Sequence, residues 1–145
     1  MQRNIMMRAI KLAKKAKGKT FPNPMVGSIV VKSGKIIAEG YHKKSGLPHA
    51  EVVALRKARR KSEGADLYVS LEPCAHYGKT PPCVNAIIKA GIKRVYVAMK
   101  DPNPLVNGRG INALKEKGIA VKIGLCSKEA KKLNKDYVES FLKKG

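Results

Sequence analysis

Several features that are common in other proteins are scarce in this chain of 145 residues. It has three cysteines, and so small an odd number argues against a framework of disulfide bonds. Its longest apolar stretches, such as residues 26–31, are too short to span a bilayer, so we expect no membrane segment. The N-terminal sequence Met1-Gln2-Arg3-Asn4 lacks the charged-then-apolar pattern of a signal peptide, so we expect a cytoplasmic location.

Acidic residues are also scarce, and this leaves the chain strongly basic. Ten Asp and Glu stand against 31 Lys and Arg, which gives a formal net charge of +21. Such a charge attracts phosphate groups, including those of RNA and DNA. The basic residues are spread along the chain in short clusters, and aromatic residues, at 5%, form no repeat with them. The pattern favours overall composition and attraction for an anionic small substrate, with a nucleic-acid partner left open.

The apolar pattern predicts a single α/β domain over residues 1–145. We expect the element order α-β-β-α-β-α-β-α-β-α, with a strand hairpin at 27–31 and 35–41 and a last helix from 128 to about 142. Strands separated by helices predict a mostly parallel, five-stranded mixed sheet with one antiparallel hairpin. Such a sheet needs helices on both faces, so the predicted fold is a three-layer α/β/α sandwich.

Two short segments carry the groups that bind a catalytic metal. Pro48-His49-Ala50-Glu51 supplies an imidazole and a carboxylate, and residues 72–83 supply the thiols of Cys74 and Cys83. Two sulfur ligands and one nitrogen select zinc, and three protein ligands leave its fourth position open to water. Residues i and i+2 of a helix point about 200° apart, so His49 and Glu51 face one site only if His49 lies at the very start of its helix.

The same residues suggest a chemistry for Glu51. Zinc in a site of this kind lowers the pKa of its water to about 7, and the resulting hydroxide attacks a ring carbon that bears an amine. Glu51 is then the proton shuttle to the ring and to the departing ammonia. The alternative is a structural zinc with no catalysis, in which His76 would be a fourth ligand and would close the site. The third thiol, Cys126, is expected to be a small buried apolar side chain.

The spacing of the two cysteines makes the resemblance specific. Cytidine deaminases and tRNA adenosine deaminases typically carry Cys-x2-Cys, whereas Cys74-Ala75-His76-Tyr77-Gly78-Lys79-Thr80-Pro81-Pro82-Cys83 resembles the signature of the riboflavin-pathway pyrimidine deaminases, within the cytidine deaminase-like superfamily. Four further segments agree with that family: Pro22-Asn23-Pro24-Met25-Val26-Gly27, Gly40-Tyr41-His42, Lys100-Asp101-Pro102-Asn103-Pro104 and Asn107-Gly108-Arg109-Gly110. The similarity covers essentially the whole chain.

The resemblance implies hydrolytic deamination of 2,5-diamino-6-ribosylamino-4(3H)-pyrimidinone 5′-phosphate. The zinc ligands then correspond to His49, Cys74 and Cys83, and the proton shuttle to Glu51. The positions that match the family's substrate pocket are Asn23, His42, His76, Lys79, Thr80, Asp101 and Asn103. Of these, Lys79 and Thr80 are expected to meet the 5′-phosphate. For residues 101–104 a rigid turn that merely ends a strand stays open as the alternative.

The resemblance also implies partners. In that family the deaminase is commonly the N-terminal half of a bifunctional deaminase–reductase, and no nicotinamide-binding segment occurs before Gly145. We therefore expect either a separate reductase polypeptide or an isolated domain. Relatives usually self-associate through helices near the zinc site, so a homo-oligomer is expected. The competing hypotheses are a deaminase of RNA or nucleosides, and a basic nucleic-acid-binding protein with structural zinc.

Overall fold

The computed structural model of the chain describes residues 1–75 and 81–142. Helix α1 spans Gln2–Ala13 and continues into a 3-10 turn at Lys14–Ala16. The remaining elements follow in chain order: β1 Gly27–Lys32, β2 Lys35–Tyr41, α2 Ala50–Ala58 with a 3-10 turn at Arg59–Ser62, β3 Asp66–Val69, α3 Cys83–Lys89, β4 Arg94–Val97, α4 Arg109–Glu116, β5 Ala120–Ile123, α5 Ser127–Leu133 and α6 Lys135–Leu142.

The five strands form one mixed sheet in the order β2-β1-β3-β4-β5, as predicted in number and type. One pairing differs from the single antiparallel hairpin expected, because β1 pairs antiparallel with β3 as well as with β2. The remaining pairs, β3 with β4 and β4 with β5, are parallel. The reason is topological: the crossover through α2 returns β3 to the direction of β2, and β3 then lies on the far side of β1.

Helices cover both faces of this sheet, which confirms the three-layer arrangement. On one face α2, α3 and α4 pack on alternate strand residues such as Val30, Val69 and Val97. On the other face α1 and α5 pack on the intervening residues, among them Ile29 and Tyr96. Period-two alternation places successive residues of a strand on opposite faces, so both faces of a doubly covered strand are apolar.

Two predictions about the C-terminal part meet different outcomes. Cys126 is buried, as expected of a small apolar side chain. The prediction of a single last helix is wrong, because the helix is interrupted at Asn134, between α5 and α6. The Asn134 amide hydrogen-bonds the backbone of Met25 instead of facing solvent on a continuous helix.

Within the described ranges, no helix is long and apolar enough to cross a membrane.

Candidate active site

His49 occupies the position immediately before the first turn of α2. Its backbone is extended, with φ −70° and ψ 161°, and the helix begins at Ala50. Because His49 is not helical, its side chain does not follow the 100° rotation per residue of the helix. Both His49 and Glu51 line the same cavity. The prediction that His49 lies at the start of its helix is therefore confirmed.

The imidazole of His49 and the thiols of Cys74 and Cys83 meet at one point. Their ligand atoms all lie within 4.8 Å of one another. The His49 Nδ1 atom is 3.0 Å from the Cys83 Sγ and 3.9 Å from the Cys74 Sγ. Donor atoms that bind one zinc ion at roughly 2.0–2.3 Å in a tetrahedron are separated by distances of this order. Cys74 follows β3 and Cys83 begins α3, so the sheet and two helix starts fix the three groups.

The protonation of these three groups is linked through their hydrogen bonds. The pKa of Cys74 is lowered to about 4, chiefly by a hydrogen bond from the Cys83 thiol, and the backbone N–H of Cys83 also donates to its sulfur at 3.2 Å. The same thiol contact, followed by burial, raises the pKa of Cys83. The hydrogen bond with Cys74 raises the pKa of His49. Two sulfur donors and one nitrogen donor at this spacing fit Zn²⁺, whose positive charge would stabilise both thiolates.

Glu51 supplies the carboxylate next to this group. It is 3% exposed, and burial is the main reason why its pKa rises to about 7. The charge of Cys74 raises the pKa further, while that of His49 lowers it. A nearby divalent cation favours the ionised form and acts in the lowering direction. Glu51 is thus a buried carboxyl group that can accept and release a proton near neutral pH.

A cavity of about 380 Å³ opens in front of His49, Glu51 and Cys74. This volume lies in the range of small-molecule sites. Four of the predicted substrate residues line it: Asn23, His42, Asp101 and Asn103. The structure therefore brings together predicted substrate residues from three separate segments of the chain.

The His42 ring is buried and held by two partners. Its Nδ1 is 3.2 Å from the Pro48 carbonyl, an acceptor, so Nδ1 carries the hydrogen. Its Nε2 then accepts from the Asn23 side-chain amide at 3.3 Å. Burial lowers the pKa of His42, which favours this neutral ring. The pair fixes the Asn23 amide at the wall of the cavity and places the His42 ring edge-on to His49 at 5.2 Å.

The segment Asp101-Pro102-Asn103-Pro104 forms an internally bonded loop at the cavity wall. The Asp101 Oδ1 atom accepts from the backbone N–H of Asn103 at 3.0 Å. The Asn103 Oδ1 atom accepts from the backbone N–H of Leu105, also at 3.0 Å. Both side chains therefore shape a rigid turn and also face the cavity, so the two interpretations of this segment are compatible.

Sequence reasoning missed the role of Glu72, which lies in the cysteine motif. Its carboxylate is buried, with one oxygen accepting from the backbone N–H groups of Asp101 and Gly108 and the other from that of Ile111. It thus joins the Cys74 segment to the loop after β4 and to the start of α4. At the same contact, an added Cβ on Gly110 would lie 1.9 Å from the Pro73 carbonyl oxygen. The one sequence feature that could have pointed to Glu72 is an acidic residue within the cysteine motif of a chain with few acidic residues.

Tyr137 of α6 was also missed, and it lines the cavity beside Asp101. Its hydroxyl donates to the Asp101 Oδ1 atom at 2.7 Å. No local pattern in the last helices distinguishes this tyrosine from a residue of an amphipathic face. Three predicted residues, His76, Lys79 and Thr80, lie outside the described residues.

Comparison with known proteins agrees with this geometry. The family model of the cytidine and deoxycytidylate deaminase zinc-binding region matches residues 1–99. The riboflavin biosynthesis protein RibD of Aquifex aeolicus (strain VF5) is 58% identical over 135 residues, which are 93% of this chain and 38% of that protein. The diaminohydroxyphosphoribosylamino-pyrimidine deaminase of Buchnera aphidicola subsp. Schizaphis graminum (strain Sg) is 54% identical over 132 residues, 91% of this chain and 90% of that protein.

A solved structure gives the same result. The diaminohydroxyphosphoribosylaminopyrimidine deaminase/5-amino-6-(5-phosphoribosylamino)uracil reductase of Thermotoga maritima superposes with a TM-score of 0.92 at 48% identity, and the match covers 98% of this chain and 41% of that one. The chain thus spans about two fifths of such RibD relatives. It belongs to the cytidine and deoxycytidylate deaminase family of zinc-binding domains, in the branch of the riboflavin-biosynthesis pyrimidine deaminases.

Proposed function

We propose that this chain deaminates 2,5-diamino-6-ribosylamino-4(3H)-pyrimidinone 5′-phosphate by hydrolysis, giving 5-amino-6-ribosylaminouracil 5′-phosphate and ammonia. The observation that carries the proposal is the convergence of His49, Cys74 and Cys83 beside the buried carboxyl group of Glu51, at the wall of a cavity of small-molecule size. The choice of substrate is supported by the 54% identity to a protein with that deaminase name, nearly all of which the chain covers.

In this proposal His49, Cys74 and Cys83 hold the zinc ion, and Glu51 moves the protons. When bound, zinc would act as a Lewis acid and lower the pKa of a water molecule at the site toward about 7. The oxygen of water adds to the ring carbon that bears the amine, and the Glu51 carboxylate takes the proton. Glu51 passes this proton to the ring nitrogen. It then takes the proton of the newly added hydroxyl and gives it to the amine, so that the carbonyl forms, the carbon–nitrogen bond breaks and ammonia leaves. Burial keeps bulk water away from Glu51, so the proton passes between enzyme and substrate.

The rest of the cavity would orient the substrate. Asn23 and His42 form one hydrogen-bonding pair for the ring or ribose, and Asp101 and Asn103 lie on another part of the wall. Among the described residues that line the cavity, none is a lysine or arginine. We therefore assign the 5′-phosphate to Lys79 and Thr80, and His76 to the substrate pocket, as the family match of those positions implies.

The proposed reaction also has partners. The Thermotoga maritima relative carries the name of a reductase as well as that of a deaminase. We propose that the product of this chain passes to a reductase activity, either on a separate polypeptide or in a longer protein. Self-association is part of the same proposal, and size-exclusion chromatography with light scattering tests it directly.

Ammonia release by the zinc-loaded protein tests the reaction. The pyrimidinone phosphate, cytidine and tRNA are assayed in parallel at one salt concentration, because the charge of +21 makes any nucleic-acid effect depend on salt. We expect turnover of the pyrimidinone phosphate alone. Turnover of cytidine or tRNA in its place would replace this proposal by a nucleoside or RNA deaminase.

A second experiment tests the role of Glu51. We expect Glu51→Gln to lower turnover at least about 10²- to 10⁴-fold, the usual contribution of a positioned proton-transfer group, with zinc per chain unchanged. Glu116→Gln, on the exposed face of α4, is the matched control and should leave both quantities unchanged. Loss of zinc together with activity in Glu51→Gln would give Glu51 a structural role and reject the mechanism.

A further inference from the structure

The turn between α5 and α6 contacts two loops that line the cavity, one with Asn23 and the other with Asp101. Asn134, at the break between the helices, accepts from the backbone N–H of Met25 at 2.8 Å and donates to the carbonyl of the same residue at 2.7 Å. It is 6% exposed, so neither hydrogen bond competes strongly with water. These bonds fix the loop that carries Asn23. The turn thus acts on one wall of the cavity through the main chain.

One turn further along, Tyr137 contacts the second loop through its side chain. Its hydroxyl donates to the Asp101 Oδ1 atom, which also accepts from the backbone N–H of Asn103. Within residues 1–75 and 81–142, no hydrogen bond reaches the other oxygen of this carboxylate, Oδ2. Because Asp101 is 6% exposed and lines the cavity, the two donors on Oδ1 set which oxygen remains for a ligand.

We propose that Tyr137 is a positioning residue for substrate binding. By occupying Oδ1 it fixes the Asp101 carboxylate so that Oδ2 accepts a hydrogen bond from an O–H or N–H donor of the substrate. The inference rests on the proposed function for the identity of that substrate, but the contact between Tyr137 and Asp101 does not. The ring of Phe141 packs edge-on against that of Tyr137, with the ring centroids 5.1 Å apart.

Tyr137→Phe removes the hydroxyl and keeps the ring, so it separates positioning from packing. We expect the KM of the zinc-loaded chain for the pyrimidinone phosphate to rise about tenfold while kcat changes less than about twofold, as expected for loss of uniform binding. Zinc per chain should match that of the unsubstituted chain, and the melting temperature should fall by no more than a few degrees, as expected for loss of one hydrogen bond. Phe141→Leu is the control for packing, and we expect a lower melting temperature with an unchanged KM.

A 2′-deoxyribosyl analogue of the substrate identifies the donor. If the 2′-hydroxyl is the donor, the KM penalty of Tyr137→Phe disappears with the analogue. If the penalty persists, the donor is another hydroxyl or an amine. Both results support the positioning role. A KM for Tyr137→Phe within twofold of the original, or a parallel loss of kcat and melting temperature, would overturn it.

A measurement without substrate separates this inference from the proposed function. Burial is the main reason why the pKa of Asp101 is raised; the N–H of Asn103 and the hydroxyl of Tyr137 lower it in part, and the charges of Glu72 and Cys74 raise it further. Only the hydroxyl changes in Tyr137→Phe, so carboxyl-carbon NMR should give Asp101 a higher pKa in the variant. If the unsubstituted chain does not turn over the pyrimidinone phosphate but Tyr137→Phe still raises the pKa of Asp101, the proposed substrate is wrong and the contact between Tyr137 and Asp101 stands. An unchanged pKa would reject the positioning role even in an active enzyme.

Discussion

A methyl group added at residue 110 tests how closely α4 is held against the segment that carries Cys74. In Gly110→Ala the new Cβ would lie 1.9 Å from the Pro73 carbonyl oxygen and 3.0 Å from its carbonyl carbon. Real Cβ atoms essentially never approach another heavy atom closer than 3.0 Å, and both contacts are with backbone. No side-chain rotation relieves them, so the helix and the segment must move apart.

The cost of this movement follows from what holds the two parts together. The Glu72 carboxylate accepts hydrogen bonds from the N–H groups of Gly108 and Ile111 at the start of α4. Overpacking costs roughly 1–3 kcal/mol, and each lengthened bond to a charged group up to about 1.5–3 kcal/mol. Alanine regains about 1 kcal/mol over glycine in a helix. We expect a net loss of about 2 kcal/mol or more, which corresponds to a fall in melting temperature of roughly 5 °C.

Thermal and urea unfolding of the zinc-loaded protein measure this effect. Asn112→Ala, at an exposed position of the same helix, is the control and should leave the midpoint unchanged or slightly higher. A chelator titration of Gly110→Ala should also show weaker zinc retention, because the displaced Pro73 peptide precedes the proposed ligand Cys74. The reasoning fails if Gly110→Ala melts at or above the temperature of the original chain, since helix propensity alone would then explain the result.

Two further predictions concern the same region and the metal. Glu72→Gln keeps the shape of the side chain but replaces an accepting oxygen with a donor, so a buried backbone N–H such as that of Ile111 loses its partner. We expect about 1–3 kcal/mol less stability in urea unfolding, and an unchanged midpoint would contradict the bonding described. Cys83→Ser should reduce bound zinc well below one per chain by elemental analysis, whereas Cys126→Ser should not. Equal zinc in these two variants would be evidence against the ligand set.

Local chemistry explains why much of the site was predictable. Pro48 and the need for His49 and Glu51 to share a site together indicated an extended histidine before the helix, and the backbone angles agree. Cys74 and Cys83 lie at junctions between elements, where neighbouring segments of an α/β sheet meet. Such features depend on residue type and on short spacings, which are legible in a single sequence.

Long-range pairing explains what was missed. The antiparallel pairing of β1 with β3 depends on the path of the chain through α2, and no alternation within either strand records it. The break at Asn134 depends on hydrogen bonds to Met25, 109 residues away. The contact of Tyr137 with Asp101 spans 36 residues. In each case the residue type permits several local structures, and the tertiary partner selects one.

The hydrogen bonds from the α5–α6 turn to both cavity loops bear on how far this domain can be shortened at its C-terminal end. The family match ends at residue 99, and all three candidate metal ligands precede that point. A fragment cut after β5 would keep those ligands but lose Asn134 and Tyr137. If Tyr137 positions Asp101 as proposed, such a fragment would separate metal retention from substrate capture, and the metal motif alone would not define the functional domain.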